Sequence, residues 1–397
     1  MQIGERVAAH RKRKGMSQEA LAGLVGMSRS WLSQVERGIR GVDKLSTVNE
    51  LATVLQVKPS DLVGQDWKFA PNGSAQVKAV DTIRARLAGY DHLLGREPKP
   101  WPLPQLRNSV VEVHRTYQAA KYGSAAAMIP DVLQAADAYD GFRGRDSREV
   151  HLARCSAYTV AAKLLTKVGE ASLAWIAADR ATHAAMAASS TPAQGMAAYQ
   201  VACALLRSER TDEAEGVAVG AAEQLMARAA SDVPDVVSLA GTLWLLAAVI
   251  AARRADRVES SARLATAHQL SGLLGHDGNH AWTAFGSTNV LIHQASVAAE
   301  LGDPSAVLRV ATQVNTESMP QGLNGRRSQV HLDLAWAQTQ ARIDMEALLH
   351  LQQAERVAPE VIRYNTIARE MVRELLKRSR RPTPALSVLA QRAGILA

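Results

Sequence analysis

Aromatic residues are scarce in this chain of 397 residues: three Phe, seven Tyr and seven Trp sit within a hydrophobic fraction of 47%. Sheets draw on aromatic and β-branched side chains, so an apolar content made mostly of Ala, Leu and Val points to close-packed helices and an all-α fold. Cysteine is nearly absent. The two present, Cys155 and Cys203, lie in apolar helical text, which excludes a disulfide framework and reads as small buried hydrophobes. Long apolar runs are missing too: the best, Leu239 to Ala252, is broken by Gly, Thr and Trp and ends at Arg253, short of the ~18–20 residues a bilayer requires. The N-terminus lacks the charged-then-apolar order of a signal peptide. A cytoplasmic protein with no membrane partner is therefore expected. No phosphate-cradling Gly loop, His-Glu-x-x-His metal helix or Gly-x-Ser-x-Gly elbow occurs, so neither an enzyme nor a cofactor is expected.

What is present begins with charge. The chain carries a net charge of +8, from 46 Lys and Arg against 38 Asp and Glu. Residues 1–64 hold ten of the bases and six of the acids, so half of the net charge falls in about a sixth of the length. That is the balance of a phosphate-binding module.

Those first residues also punctuate into short helices. Ile3, Val7 and Ala8 recur at helical spacing until Gly15; Ser17-Gln18-Glu19-Ala20 opens a second helix that stops at Gly26; Ser28 caps a third, to Arg37, with Leu32 and Val35 inward and Gly38 after it. A fourth, about Lys44 to Gln56, turns Val48, Leu51, Ala52 and Leu55 inward, and Pro59 to Val63 makes a short fifth turn. Five helices in so short a stretch make a complete small domain, 1–64.

The stretch from Met16 to Gly38, with Gly26 at the turn, Ala22 at the helix crossing and Glu36-Arg37-Gly38 at the end, resembles the helix-turn-helix of the Xre/Cro/C1 repressor family. The resemblance implies a second helix that enters the DNA major groove behind a first helix that meets phosphate. It implies that Gln18 contacts phosphate, that Arg29, Ser30 and Gln34 face bases with Ser33 nearby and the cap Ser28 also at the DNA, and that Arg11 pairs with Glu36 inside the domain. Arg29 suits guanine and Gln34 adenine by their hydrogen-bonding edges. Arg37, Arg40 and Lys44, just beyond, are candidate phosphate contacts. Trp31 reads either as a contact to thymine methyls or as half-buried packing. Double-stranded DNA, bound by a homodimer, is the partner expected.

Between Gln65 and Ser74 periodicity lapses; a helix over about 76–94 follows, then a stretch with prolines at 98, 100, 102 and 104, so 65–104 reads as a linker with one helix, a connector or a dimer contact. Residues 105–397 are a succession of about 13 amphipathic helices, with pairs recurring at approximately 35–40 residues, near the period of about 34 that a tetratricopeptide-like α-solenoid gives. Tyr117-Gln118-Ala119-Ala120-Lys121-Tyr122, Ala178-Asp179-Arg180-Ala181, Phe285 to Val290 with His293, and Ala354 to Glu360 are similar to the C-terminal tetratricopeptide-like regulators common in actinobacteria. Such a body is expected to sense a small molecule or peptide, with Gln118, Tyr122, Asn289 and His293 as candidate ligand residues; a protein-interaction scaffold without small ligand is the alternative. Asn289 and His293, one turn apart in apolar text, read first as a satisfied inter-helix hydrogen bond and second as a ligand contact. Trp175, Trp244, Trp282 and Trp336 read as core or as the lining of a concave face. His276-Asp277-Gly278-Asn279-His280 has metal-ligating residue types, but its spacing reads as a polar loop, and no metal is expected.

Overall fold

The computed structural model describes residues 3–42, 45–55, 57, 62, 74–89, 99–139, 144, 146–228 and 233–395. Within these every regular element is helical. The N-terminal part comprises α1 (Ile3–Arg13), α2 (Gln18–Leu24), α3 (Arg29–Glu36) and α4 (Leu45–Leu55). The expected helix ends agree: Ser17 Oγ accepts from Ala20 N at 3.0 Å, Ser28 Oγ accepts from Trp31 N at 3.1 Å, and Gly15, Gly26 and Gly38 all hold positive φ just past a helix. Val7, Leu21, Ala22, Val25, Leu32, Leu51, Ala52, Leu55 and Leu62 close one core. Each leucine withdrawn from water here stabilises by about 2 kcal/mol. Gly4 is the close-approach point of α1 on α3, since a Cβ there would stand 1.9 Å from the Val35 carbonyl oxygen. Lys44 and the turn over 59–61 lie outside the described residues.

The remainder runs α5 (Ser74–Ala88), α6 (Leu103–Gln118), α7 (Tyr122–Asp137), α8 (Ser147–Lys167), α9 (Ala171–Ala187), α10 (Thr191–Arg207), α11 (Thr211–Arg228), α12 (Pro234–Arg253), α13 (Arg257–Leu274), α14 (Ser287–Glu300), α15 (Pro304–Ala311), α16 (Asn324–Gln340), α17 (Asp344–Val357), α18 (Val361–Tyr364), α19 (Thr366–Arg378) and α20 (Pro384–Arg392). From α6 onward that is fifteen helices, more than the thirteen expected, because α15 and α18 are short. α5 is no free connector: Val80, Ile83 and Leu87 enter the same core as α6 to α9. Consecutive helices pack antiparallel into a stack of pairs. The pairs begin at Leu103, Ser147, Thr191 and Pro234, steps of 44, 44 and 43 residues. This is longer than the expected period, because helices of 16 to 21 residues replace shorter ones.

α12 corrects one expectation about apolar length. It is long and apolar enough to cross a membrane by composition alone, but 83% of its apolar window is buried among neighbouring helices, as a central core helix must be. The stack also closes on itself. Gly123 N donates to Glu360 Oε2 at 2.9 Å and the Tyr122 and Tyr364 rings meet edge-on at 5.7 Å, so the last helices return to the first and leave a cavity on the inner face.

Candidate functional site

Two places carry chemistry. The first is the outer face of α3. Arg11, on α1, grips Glu36 with two bonds, Nε to Oε1 at 2.6 Å and Nη2 to Oε2 at 2.8 Å, and donates through Nη1 to the Met16 carbonyl at 2.7 Å. Gln18 Nε2 joins the same carboxylate at 2.8 Å. Burial disfavours the Glu36 carboxylate, but the bonds from Arg11 and Gln18 outweigh it and hold its pKa below the ordinary value. The network ties α1, the start of α2 and the end of α3 into one rigid frame. On that frame Ser28, Arg29 and Ser30 are exposed at the start of α3, Ser33 and Gln34 are half-buried one turn on, and Arg37 and Arg40 are exposed beyond its end. Arg37 Nε donates back to the Ser33 carbonyl at 3.2 Å. Trp31 is half-buried against the domain core. Gln18 is the first residue of α2, and its amide nitrogen is engaged by Glu36.

The second place is the inner cavity of about 210 Å³. Six segments far apart in sequence line it. α8 supplies Thr159, Lys163 and Lys167, a stripe at i, i+4 and i+8 on one helix face. α10 supplies Met196, Tyr199 and Gln200, α12 Leu239 and Thr242, and the start of α16 Arg326 and Gln329. Tyr117 and Gln118 at the end of α6, Tyr122 at the start of α7, and Ala281 to Ala284, whose Trp282 carbonyl accepts from Gln118, complete the lining.

That last segment is held in an uncommon shape. Ala281, Trp282 and Ala284 all have positive φ, at 47°, 61° and 55°, a region that side chains with a Cβ seldom occupy. Surroundings impose it. Phe285 is fully buried against Gly241 of α12, where a Cβ would fall 2.0 Å from the ring. Asp277 accepts from Thr288 N at 3.0 Å and from Ser318 Oγ at 2.8 Å, and Asn279 and Gln118 exchange amide bonds of 2.9 Å in both directions. The Trp282 indole stacks on His114, centroids 4.5 Å apart and planes 6° off parallel. Residues held in sparsely populated backbone regions gather at ligand clamps.

The cavity's electrostatics are one-sided. Lys163 Nζ donates to the Trp282 carbonyl at 3.0 Å, and Lys167 Nζ lies 5.6 Å from the Tyr122 ring centroid. Both retain some accessible area through the opening, but protein surrounds each amine. Burial first, and the charge of Arg326 next, push Lys163 down to about 7; burial, then Arg207 and Arg326, bring Lys167 to about 8. Burial pushes the Tyr117 phenol up to about 12 and raises Tyr122 further. Among the described residues no carboxylate lines the cavity. The nearby Asp333 accepts from Gln329 at 2.8 Å and from Ser296 at 2.9 Å, and burial raises its carboxyl to about 7.

Of the four residues expected to meet a ligand, Gln118 and Tyr122 line this cavity. Asn289 and His293 are buried on α14 outside the lining. His293 Nδ1 donates to the Asn289 carbonyl at 2.9 Å, which leaves Nε2 as an acceptor, and burial followed by the Arg326 charge drops its pKa to about 3. Among the described residues the Asn289 amide has no hydrogen-bond partner at either end. Lys163, Lys167, Tyr199 and Arg326 had not been singled out; the scarcity of lysine was the signal available. The His276 to His280 loop is structural, with Asp277 spent on the start of α14. Among the described residues no group of three metal-ligating side chains converges.

Residues 2–63 match the family of helix-turn-helix domains. A curated relative, the HTH-type transcriptional regulator SinR of Bacillus licheniformis, is 27% identical over 86 residues, which cover 22% of this chain and 78% of that one. Among solved structures, ComR from S. thermophilus, in complex with DNA and its signalling peptide ComS, aligns over 94% of this chain and 99% of its own at 13% identity. The TM-score of 0.22 is too low for that superposition to support an argument.

Proposed function

We propose that this helix-turn-helix regulator of the Xre type, an α3 reader followed by an all-helical body, binds an inverted-repeat operator as a cytoplasmic homodimer and changes its occupancy when the body binds a small molecule or peptide. The observation that supports the DNA half is the exposed start of α3 on a frame locked by Arg11, Gln18 and Glu36. A recognition helix must present its N-terminal side chains to base edges without wavering, and charge-assisted bonds between helices supply that rigidity. Arg29 and Ser30 then meet bases first, with Ser33 and Gln34 one turn deeper and Ser28 at the cap. Arg37, Arg40 and Lys44 reach phosphate, and Gln18 joins them at the start of α2, its amide oriented by Glu36.

The sensing half is supported by the cavity. Sensing means that a ligand binds one of two arrangements of the body better than the other. A scaffold reading draws on a different feature, the exposed Met345 and Leu349 one turn apart on α17, which suit a protein partner on the outer surface.

The test of the DNA half is selection of bound sequences by the full-length protein and by Arg29→Ala and Gln34→Ala. Each replacement is expected to relax preference at one operator position, by roughly 1–3 kcal/mol of discrimination, with the helical circular dichroism unchanged. Unaltered sequence preference in both variants would overturn the assignment.

A further inference from the structure

Lysine is rare in the body. Residues 122–397 contain 24 Arg but three Lys, and two of those three, Lys163 and Lys167, face the inner cavity one helical turn apart. Like charges at that spacing repel. Arg326 adds a third positive group to the same space, and none of the three forms an ion pair among the described residues. Carboxylates packed behind the lining are engaged by other groups: Glu360 accepts from Gly123 N at 2.9 Å, and Asp333 from Gln329 and Ser296.

Such an arrangement costs stability, because cations withdrawn from water without a counter-charge lose solvation and gain only mutual repulsion. The Lys163 bond to the Trp282 carbonyl and the Tyr122 ring beside Lys167 offset only part of it. A folded chain keeps a cost of this kind where it serves a site. The rest of the lining is rich in aromatic surface: Trp282, whose carbonyl accepts from Lys163, is fixed by its strained backbone and by its stack on His114, and Tyr117 and Tyr199 line the same space. The space is also small. A cavity of about 150 Å³ accommodates benzene, so 210 Å³ accommodates one ring with a substituent.

Resting on the sensing reading above, we infer that the cavity takes a small organic anion, a carboxylate or phosphate ester on a flat ring of roughly ten non-hydrogen atoms in all, with the charge against Lys163, Lys167 and Arg326 and the ring against Trp282 and the tyrosines. A peptide's C-terminal carboxylate would bring the same anionic group, and the measurement below separates the two sources. Lysine amines are compact point charges that suit an oxyanion.

The experiment uses full-length protein at pH 7, with thermal unfolding and calorimetric titration of benzoate, phenyl phosphate, benzamide, and a hexapeptide with a free or amidated C-terminus, all against chloride of equal ionic strength. Benzoate or phenyl phosphate is expected to raise the Tm progressively with the logarithm of concentration while benzamide does not, and Lys163→Met with Arg326→Met to weaken binding at least tenfold. If the free-acid peptide stabilises and its amide does not, the anionic chemistry holds and the source is a peptide.

A second arm needs no ligand. Lys167→Met, which removes charge and leaves the Lys163 bond to Trp282 in place, is expected to melt higher than the parent. The inference falls if Lys167→Met melts lower, if benzamide stabilises as well as benzoate, or if no anion moves the Tm beyond chloride. Operator affinity, measured in parallel, separates this failure from that of the sensing reading. An anion that binds without altering operator affinity overturns sensing and leaves the anion assignment standing. A neutral ligand that occupies the cavity and alters operator affinity does the reverse.

Discussion

At the scale of single residues, the two cavity lysines make the protein's stability depend on pH in a specific direction. Lys163 titrates at about 7 and Lys167 at about 8, whereas in the unfolded chain both return to the ordinary value near 10.5. Between those limits the unfolded chain holds more protons than the folded one, so stability rises with pH; below about 7 both states are charged and the full penalty applies. Other groups titrate over the same range, so the measurement is a difference. The Tm of Lys163→Met/Lys167→Met is expected to exceed that of the parent at pH 7, and the gap to narrow steadily toward pH 10. The faced groups Tyr117 and Cys203 do not confuse the comparison, since burial pushes the first to about 12 and the second to about 11. A gap that stays constant from pH 7 to pH 10 would show that the amines are solvated and ordinary.

Between elements, the decisive contact is Phe285 on Gly241. α12 is apolar on all sides, and a glycine in its middle costs roughly 1 kcal/mol of helix propensity, so its retention calls for a packing reason. The reason is the ring that anchors the 281–284 wall. Gly241→Ala places a methyl 2.0 Å from the ring, inside a core that can give little. A loss of about 1–3 kcal/mol is expected, along with loss of the Trp282 fluorescence response to any cavity ligand; a stable variant with an intact response would show that Phe285 does not position the wall. The same contrast explains what could be read in the sequence. The N-terminal helices were legible because their signals are local: Ser17 and Ser28 cap, Gly15, Gly26 and Gly38 stop, and Val7, Leu21, Leu32 and Leu51 repeat at helical spacing. The cavity was not, since Tyr117, Lys163, Tyr199, Leu239, Trp282 and Arg326 meet only when the stack closes, over a separation of some 200 residues. Within one helix, Lys163 and Lys167 look like any solvated face. Asn289 and His293 drew notice as polar residues in apolar text, yet they lie behind the lining, whereas Gln118 and Tyr122 reach it.

For the whole molecule, charge distribution offers a way to count protomers on DNA. Half of the net charge of +8 belongs to residues 1–64, and the exposed Arg37 and Arg40 follow the recognition helix. Each phosphate neutralised by a basic side chain releases condensed counterions, so the logarithm of the operator binding constant falls with the logarithm of salt by about 0.9 per contact. In a two-fold dimer every contact is made twice, once at each half-site. Arg40→Ala is therefore expected to reduce the salt slope by about 1.8, while weakening binding alike on specific and non-specific sequences. A reduction of about 0.9 would mean that one protomer occupies the operator and would overturn the dimer; an unchanged slope would remove Arg40 from the phosphate contacts. Repeating the titration with the cavity filled extends the result to sensing. If the body acts by moving the two α3 helices apart, one half-site disengages, and the slope of the parent protein itself should fall toward half its value when ligand binds, with Tyr122, which touches both the cavity and Tyr364 of the closing helices, as the side chain through which the two are joined.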